Sequence, residues 1–168
     1  MLNTPLKIYL AGYIEFNADR TQLMPECTEW RKYIREFYQQ YKTHTGEVLD
    51  YGLQFFDPLI GESSEHMLSD ALIFGKDYLS IKNCDVIISN FKTFNKPDQN
   101  VRPPLGTILE VGIAYEMKKT LIAITDDPRY INHPFIQRMF SAIYPDVETL
   151  CKSKALNILF KSINTSLY

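Results

Sequence analysis

Apolar and polar positions alternate along Leu6-Lys7-Ile8-Tyr9-Leu10-Ala11 and stop at Gly12. That is the pattern of a strand running into a glycine turn. From Pro25 to Lys42 the period changes. Trp30, Ile34, Phe37 and Tyr41 recur at spacings of three and four, and Pro25 suits a helix start. Gly46 breaks the chain, and Val48 to Phe56 reads as a second strand ending at Asp57-Pro58. Leu59 to Glu65 is a polar loop, and Met67 to Lys82 is helical. Asp85 to Asn90 is a short continuous apolar run, as expected of a strand buried on both faces. A loop from Lys92 to Leu105 leads to a helix over Thr107–Lys118. A second buried strand follows over Thr120–Thr125, closed by Asp126-Asp127-Pro128. The remainder is helical or irregular, with a last helix over Leu150–Ile163.

Strands and helices therefore alternate, and no internal repeat or linker interrupts them. The expected fold is one α/β domain over residues 1–168. Its form is a three-layer sandwich with a mostly parallel, Rossmann-like or flavodoxin-like central sheet of about five strands. Ligands in such sheets bind beyond the carboxyl ends of the strands. The segments to search are Gly12–Met24, Asp57–His66, Asn90–Gly106 and Asp126–Asn132.

Composition narrows the function classes. A net charge of -2 and a pI of about 5.9 give no basic stripe for a nucleic acid. No apolar run approaches the roughly 20 residues that cross a bilayer, and the N-terminus lacks the form of a secretory signal. The three cysteines, Cys27, Cys84 and Cys151, are widely spaced, so neither a disulfide framework nor a zinc site is expected. These features point to a reduced, cytoplasmic protein. No GxGxxG, GxxxxGK[ST] or GxSxG motif occurs. His44, His66 and His133 are isolated and read as structural or surface residues.

Two carboxylates stand out. Glu110 lies in Gly106-Thr107-Ile108-Leu109-Glu110-Val111-Gly112, at the start of a helix behind a strand and a loop. A first-turn position would keep it ionised through the helix dipole. The same spacing, Thr107-x-x-Glu110, also has the form of a capping box. Gly112 and Ala114 would allow close backbone approach. Asp77 sits in an apolar stripe with Ile73, Phe74 and Ile81. A carboxylate there is costly unless it has a partner or faces a polar cavity. Asp85 reads as a cap or turn acceptor at a strand start. Asp57-Pro58 reads as either a turn or a pocket wall.

Taken together, Lys7–Gly12, Asp57-Pro58, Asp77, Cys84–Asn90, Gly106–Tyr115 and Lys119 resemble the nucleoside 2-deoxyribosyltransferase family in one collinear order. The resemblance implies that Glu110 is the nucleophile, attacking C1′ of a 2′-deoxyribonucleoside to form a covalent deoxyribosyl ester. It places Asp77 beside the sugar and base and Tyr9 beside the nucleophile. It puts Gly12, Asp57, Asn90, Gly106 and Thr107 around the substrate. Several members carry a base-contacting aspartate six residues before the nucleophile. Pro104 stands there here, so base recognition passes to Asp98, Asn100 or Arg102. Pro104 also replaces the phosphate-binding serine of related nucleotide glycosidases, which favours a free nucleoside over a 5′-phosphate. If water replaces the second base, the outcome is hydrolysis. A non-catalytic nucleotide sensor on the same fold is the alternative from another class. The implied partners are a nucleoside and a nucleobase, and no metal or other cofactor is implied.

The helix over Met67–Lys82 carries Leu68, Leu72 and Leu79 toward one side and Ile73, Phe74 and Ile81 toward the other. A surface helix needs one apolar stripe. The second requires a cover, either another subunit or the tail Leu150–Tyr168. The family resemblance implies homo-oligomers, dimers or higher, whose sites borrow residues from a neighbour, here near Asn132 or Tyr168.

Overall fold

A computed structural model describes residues 4–14, 23–44, 52–59, 70–92 and 104–165. Five strands form one parallel sheet: β1 (Leu6–Gly12), β2 (Leu53–Phe56), β3 (Val86–Asn90), β4 (Thr120–Ile124) and β5 (Ala142–Tyr144). Their spatial order is β2-β1-β3-β4-β5, so the connections reverse direction between β1 and β3. A crevice opens beyond the strand ends at such a reversal.

Alternation along the strands builds two cores. Leu6, Ile8 and Leu10 of β1, with Val86, Ile88, Ile122 and Ile124, face one layer. It contains α1 (Pro25–His44), α6 (Val147–Lys152) and α7 (Ala155–Thr165). Tyr9 and Ala11, with Ile87, Leu121 and Ala123, face the other layer, α2 (Asp70–Asn83) and α3 (Leu105–Glu116). The three-layer sandwich expected from the sequence is therefore present, and the sheet is parallel throughout.

The differences have local causes. β5 went unpredicted because it is three residues long and half-buried, too short to show a period. The single C-terminal helix is two helices. Lys154 adopts a positive φ of 58° between them, and Ser153 Oγ accepts the Ala155 N–H at 3.2 Å. Two short helices, α4 (Pro128–Ile131) and α5 (Pro134–Met139), follow β4. Each begins at a proline, and their caps are the side chains of Asp127 and His133. Asp85 stands just before β3, where its Oδ2 accepts the Lys7 N–H of β1 at 2.9 Å. Its bond therefore ties two strands together rather than closing the local cap or turn that the sequence suggests. Residues 48–51 of the expected second strand and 67–69 of the next helix lie outside the described residues, as do Glu65, His66 and most of the loop after β3.

Gly12 ends β1 beneath the side chain of Trp30. A Cβ there would stand 2.7 Å from Trp30 Cζ2 and 3.2 Å from Arg31 Nη2. Both neighbours are buried, and the Arg31 guanidinium lies over the indole ring at 4.6 Å, so neither can readily move aside. Gly12→Ala should therefore destabilise the fold by about 1–3 kcal/mol through overpacking. A lowered urea midpoint checks this, and an unchanged midpoint would show that the Trp30 ring yields.

Candidate active site

The carboxyl half of β1 and the facing helices α2 and α3 bring together Tyr9, Asp77 and Glu110. The Tyr9 hydroxyl donates to Glu110 Oε1 at 2.7 Å. Asp77 and Glu110 line one cleft of about 240 Å³ between α2 and α3, walled by Ile73, Phe74, Gly106 and Leu109. Gly106 meets no atom within 4 Å of where its Cβ would be, so it leaves the mouth of the cleft open. A second hollow of about 250 Å³ lies on the other side of Tyr9, lined by Phe56, Asp57, Pro58, Lys76 and Ser80.

The capping box does not form. The helix begins two residues earlier than expected, at Leu105, with Pro104 at the N-cap and no side-chain cap bond. This places Thr107 inside the first turn, where it is buried, and moves Glu110 to the second turn. The first turn of α3 holds no acidic residue. The carboxylate of Glu110 turns toward Tyr9 rather than toward the helix end. Gly112 likewise departs from expectation, since it faces open space, whereas Ala114 is fully buried.

The environment of Glu110 also reverses the expected electrostatics. Burial raises its pKa from 4.5 to about 7, and the Asp77 charge pushes the same way. The Tyr9 hydrogen bond and the Arg31 cation oppose these effects without cancelling them. Burial, together with the Glu110 and Asp77 charges, holds the Tyr9 phenol far above its ordinary range, so it remains a donor. The arrangement is a carboxylate in a mostly apolar cleft, oriented by a neutral hydroxyl and poised to change charge near neutral pH. Such a group can act as a nucleophile or as an acid and base.

The other expected residues are distributed differently. Asp57 is almost fully buried, and its carboxylate is ion-paired with Arg31, Nε to Oδ1 at 3.5 Å, and with Arg35. Asn90 ends β3 with its Oδ1 accepting the Lys92 N–H at 2.9 Å. It lines a separate, acidic cleft with Trp30, Tyr33 and Glu148 on the α1 side of the sheet. Arg102, with Asp98 and Asn100, lies outside the described residues, as does Tyr168. The sequence reading missed Arg31. Arg31 shares a stripe with Cys27, Trp30, Ile34 and Tyr38 on α1, all buried. The signal was the same as for Asp77: a charge on an apolar face. Among the described residues no group of side chains has the makings of a metal site, and no helix is long and apolar enough to cross a membrane.

Comparison with known proteins bears on the family and the fold. The family model described as "Nucleoside 2-deoxyribosyltransferase" matches residues 8–149. No curated protein sequence matches the chain. Among solved structures, the chain is similar to a 2-deoxyribosyltransferase from Bacillus psychrosaccharolyticus. The TM-score is 0.57 at 20% identity, over 86% of this chain and 89% of that one. It is also similar to BlsM, with a TM-score of 0.59 at 17% identity over 99% of this chain and 97% of that one. A CMP N-glycosidase from Clostridium botulinum, BcmB, aligns with a TM-score of 0.49 at 18% identity, over 89% and 98% of the two chains. At these identities the first two likenesses establish the fold alone.

The raised pKa of Glu110 has a consequence for stability. A group protonated more readily in the fold than in the unfolded chain favours folding at low pH, and this contribution is lost as pH rises through the folded value. The interval from 4.5 to about 7 corresponds to about 3 kcal/mol. Glu110→Gln stays neutral at every pH. Its stability relative to the native protein should improve by about 3 kcal/mol between pH ~4.5 and pH ~7.5. Paired urea titrations at the two pH values measure this, and a constant difference would mean that Glu110 titrates as an ordinary carboxyl.

Proposed function

Because this chain belongs to the nucleoside 2-deoxyribosyltransferase family, we propose that it transfers the 2-deoxyribosyl group of a free 2′-deoxyribonucleoside between nucleobases, with Glu110 as the nucleophile. The observation that carries the reading is the placement of Glu110. It is fixed by Tyr9 at 2.7 Å and shares an otherwise largely apolar cleft with Asp77.

The steps follow from that geometry. The Tyr9 hydroxyl occupies Oε1 of Glu110, and the other carboxylate oxygen attacks C1′. The bond from C1′ to the base nitrogen breaks, and its electron pair leaves with the base. The transition state has oxocarbenium character, which two carboxylates beside the sugar stabilise. The departing base takes up a proton, supplied from solvent and relayed by Asp77, and so leaves as the neutral molecule. The product of this half-reaction is a glutamyl deoxyribosyl ester, which splits one difficult displacement into two easier ones. A second base attacks C1′ from the vacated face, the Glu110 carboxylate is released, and configuration is retained overall. The apolar walls, Ile73, Phe74 and Leu109, suit a flat base better than water as acceptor once the cleft is covered.

The cleft opens onto a surface unusual for a free-standing chain. On α2, Leu72, Phe74 and Leu79 are each more than half exposed, as are Leu105 and Leu109 on α3. The described part of the tail does not cover them, because Leu156 and Phe160 of α7 belong to the core on the opposite side of the sheet. A second copy of the chain laid over this face, in a dimer or a larger assembly, would bury these side chains and close the cleft.

The direct assay is incubation with deoxyinosine or thymidine, with and without adenine. A new nucleoside that appears only when adenine is present is the predicted result. Release of free base regardless of acceptor would make the protein a hydrolase through the same intermediate, and no reaction would contradict the enzymatic reading.

Loss of Glu110 should be far more damaging than loss of a structural contact. Glu110→Ala should reduce kcat by several powers of ten while the circular dichroism spectrum and the cooperative unfolding transition persist. Retention of more than about a tenth of the native rate would remove Glu110 from the mechanism, since a nucleophile is worth far more than that. In the native protein, kcat/KM should fall as pH drops below about 7, because attack requires the ionised carboxylate. Asp77→Asn removes a neighbouring negative charge and should move this acid limb to lower pH even as it reduces the rate. Sedimentation at micromolar concentration tests the assembly, with a sole species of the chain mass, 19.6 kDa, as the contrary result.

A further inference from the structure

Arg31 is the largest fully buried side chain of the described residues, and it is charged. An isolated guanidinium is costly to bury, so its partners indicate what it is for. Its Nη2 donates to the Gly12 carbonyl at 2.9 Å and its Nε to the Leu10 carbonyl at 3.4 Å. Its Nη1 donates to the Cys27 carbonyl one turn back on α1. These bonds hold the last residues of β1, the strand that carries Tyr9, against the start of α1. The guanidinium is also ion-paired with Asp57 at the end of β2. Asp57 is shared, since Arg35 pairs with its other oxygen. Two cations therefore meet one anion in this cluster, and a net positive charge is left on the α1 side of β1. On the other side of β1 lie the carboxylates of Glu110 and Asp77.

We propose that Arg31 is a positioning residue for the reaction: it clamps the end of β1 that carries Tyr9, and it supplies through the sheet a buried positive charge that favours the ionised, nucleophilic form of Glu110. The inference rests on the assignment of Glu110 as nucleophile given above. Among the described residues, Tyr9 from β1, Asp77 from α2 and Arg31 from α1 act on Glu110 directly, and Asp57 bears on it only through the Arg31 charge that it balances. Asp77 disfavours its ionisation, and Tyr9 and Arg31 favour it. Arg31 also acts on Tyr9, where it opposes the effect of burial. Backbone carbonyls take up three of the guanidinium's donors. The cation is thus held by hydrogen bonds that leave its charge only partly balanced by Asp57.

The charge balance yields two variants with opposite signatures. Arg31→Gln removes the cation and should raise the pH at which Glu110 titrates. Asp57→Asn removes the counter-charge, leaves Arg31 and Arg35 in excess, and should lower it. Arg31→Lys keeps the charge but cannot reach three carbonyls at once. It should leave the titration near the native value while reducing kcat several-fold with little change in KM. Carbon-13 NMR of glutamate-labelled protein, with the Glu110 signal assigned by its loss in Glu110→Gln, reads the titration whether or not turnover is observed. The acid limb of kcat/KM should move in parallel. If the substrate assay shows no turnover but the two titrations shift in opposite directions, the functional reading fails and the charge coupling stands. If both folded variants titrate as the native protein does, or shift in the same direction, the proposal is overturned. Should Arg31→Gln fail to fold, Asp57→Asn decides: a lowered titration supports the coupling and an unchanged one refutes it.

Discussion

The Tyr9 hydroxyl donates to Glu110 Oε1 at 2.7 Å across 101 positions of sequence. That contact requires β1 inside the sheet, between β2 and β3, with α3 packed across β1, β3 and β4, and a carboxylate on the face of α3 turned toward the strands. Remove the hydrogen bond, and Glu110 becomes a half-buried acid with no fixed direction and a still higher pKa. Much of the surrounding structure can be understood as holding the two ends of this bond in place. Gly12 lets Trp30 and Arg31 close over the end of β1, and the small Ala11, Ser89 and Ala123 let α3 lie close to the sheet.

The same packing determines the chemistry of the site. A carboxylate taken from water into a mostly apolar cleft resists ionisation, and a second carboxylate beside it adds to that resistance. The opposing contributions, a phenolic donor and a buried guanidinium, bring Glu110 to about neutrality. A glutamate there is ionised often enough at physiological pH for the proposed attack on C1′. In the proposed ester it would also be a better leaving group than a more basic nucleophile. Stability is given up for this arrangement, as is common where a charge is kept in an apolar site.

How far the sequence revealed the site depended on whether a feature was periodic or three-dimensional. The strands Leu6–Gly12, Val86–Asn90 and Thr120–Ile124 showed as apolar runs, and Asp77 showed as a break in an apolar stripe. β5 could not show, since three residues carry no period. Thr107-x-x-Glu110 satisfied the spacing of a capping box, but capping also requires the helix to start at that threonine. Pro104 starts it earlier, because proline fits a helix start and leaves no N–H to satisfy. Arg31 carried the same signal as Asp77 and was passed over. The signal acquires meaning only when the end of β2, more than twenty residues away, supplies Asp57. Asn90 showed as a strand end, but alternation turns its side chain to the α1 face, away from Glu110.

The central claim is that Glu110 forms a covalent bond to the sugar, and it can be tested without following turnover. A 2′-deoxy-2′-fluoronucleoside destabilises the oxocarbenium-like transition state by induction. It slows the second displacement as well as the first, so the ester should persist in the absence of an acceptor base. Intact-mass spectrometry after incubation should show a gain of one fluorodeoxyribosyl group per chain, and peptide mapping should place it on Glu110. Addition of adenine should then discharge it with formation of the adenine nucleoside. An unmodified chain under conditions where base is released, or a modification mapped to Asp77, would contradict the account.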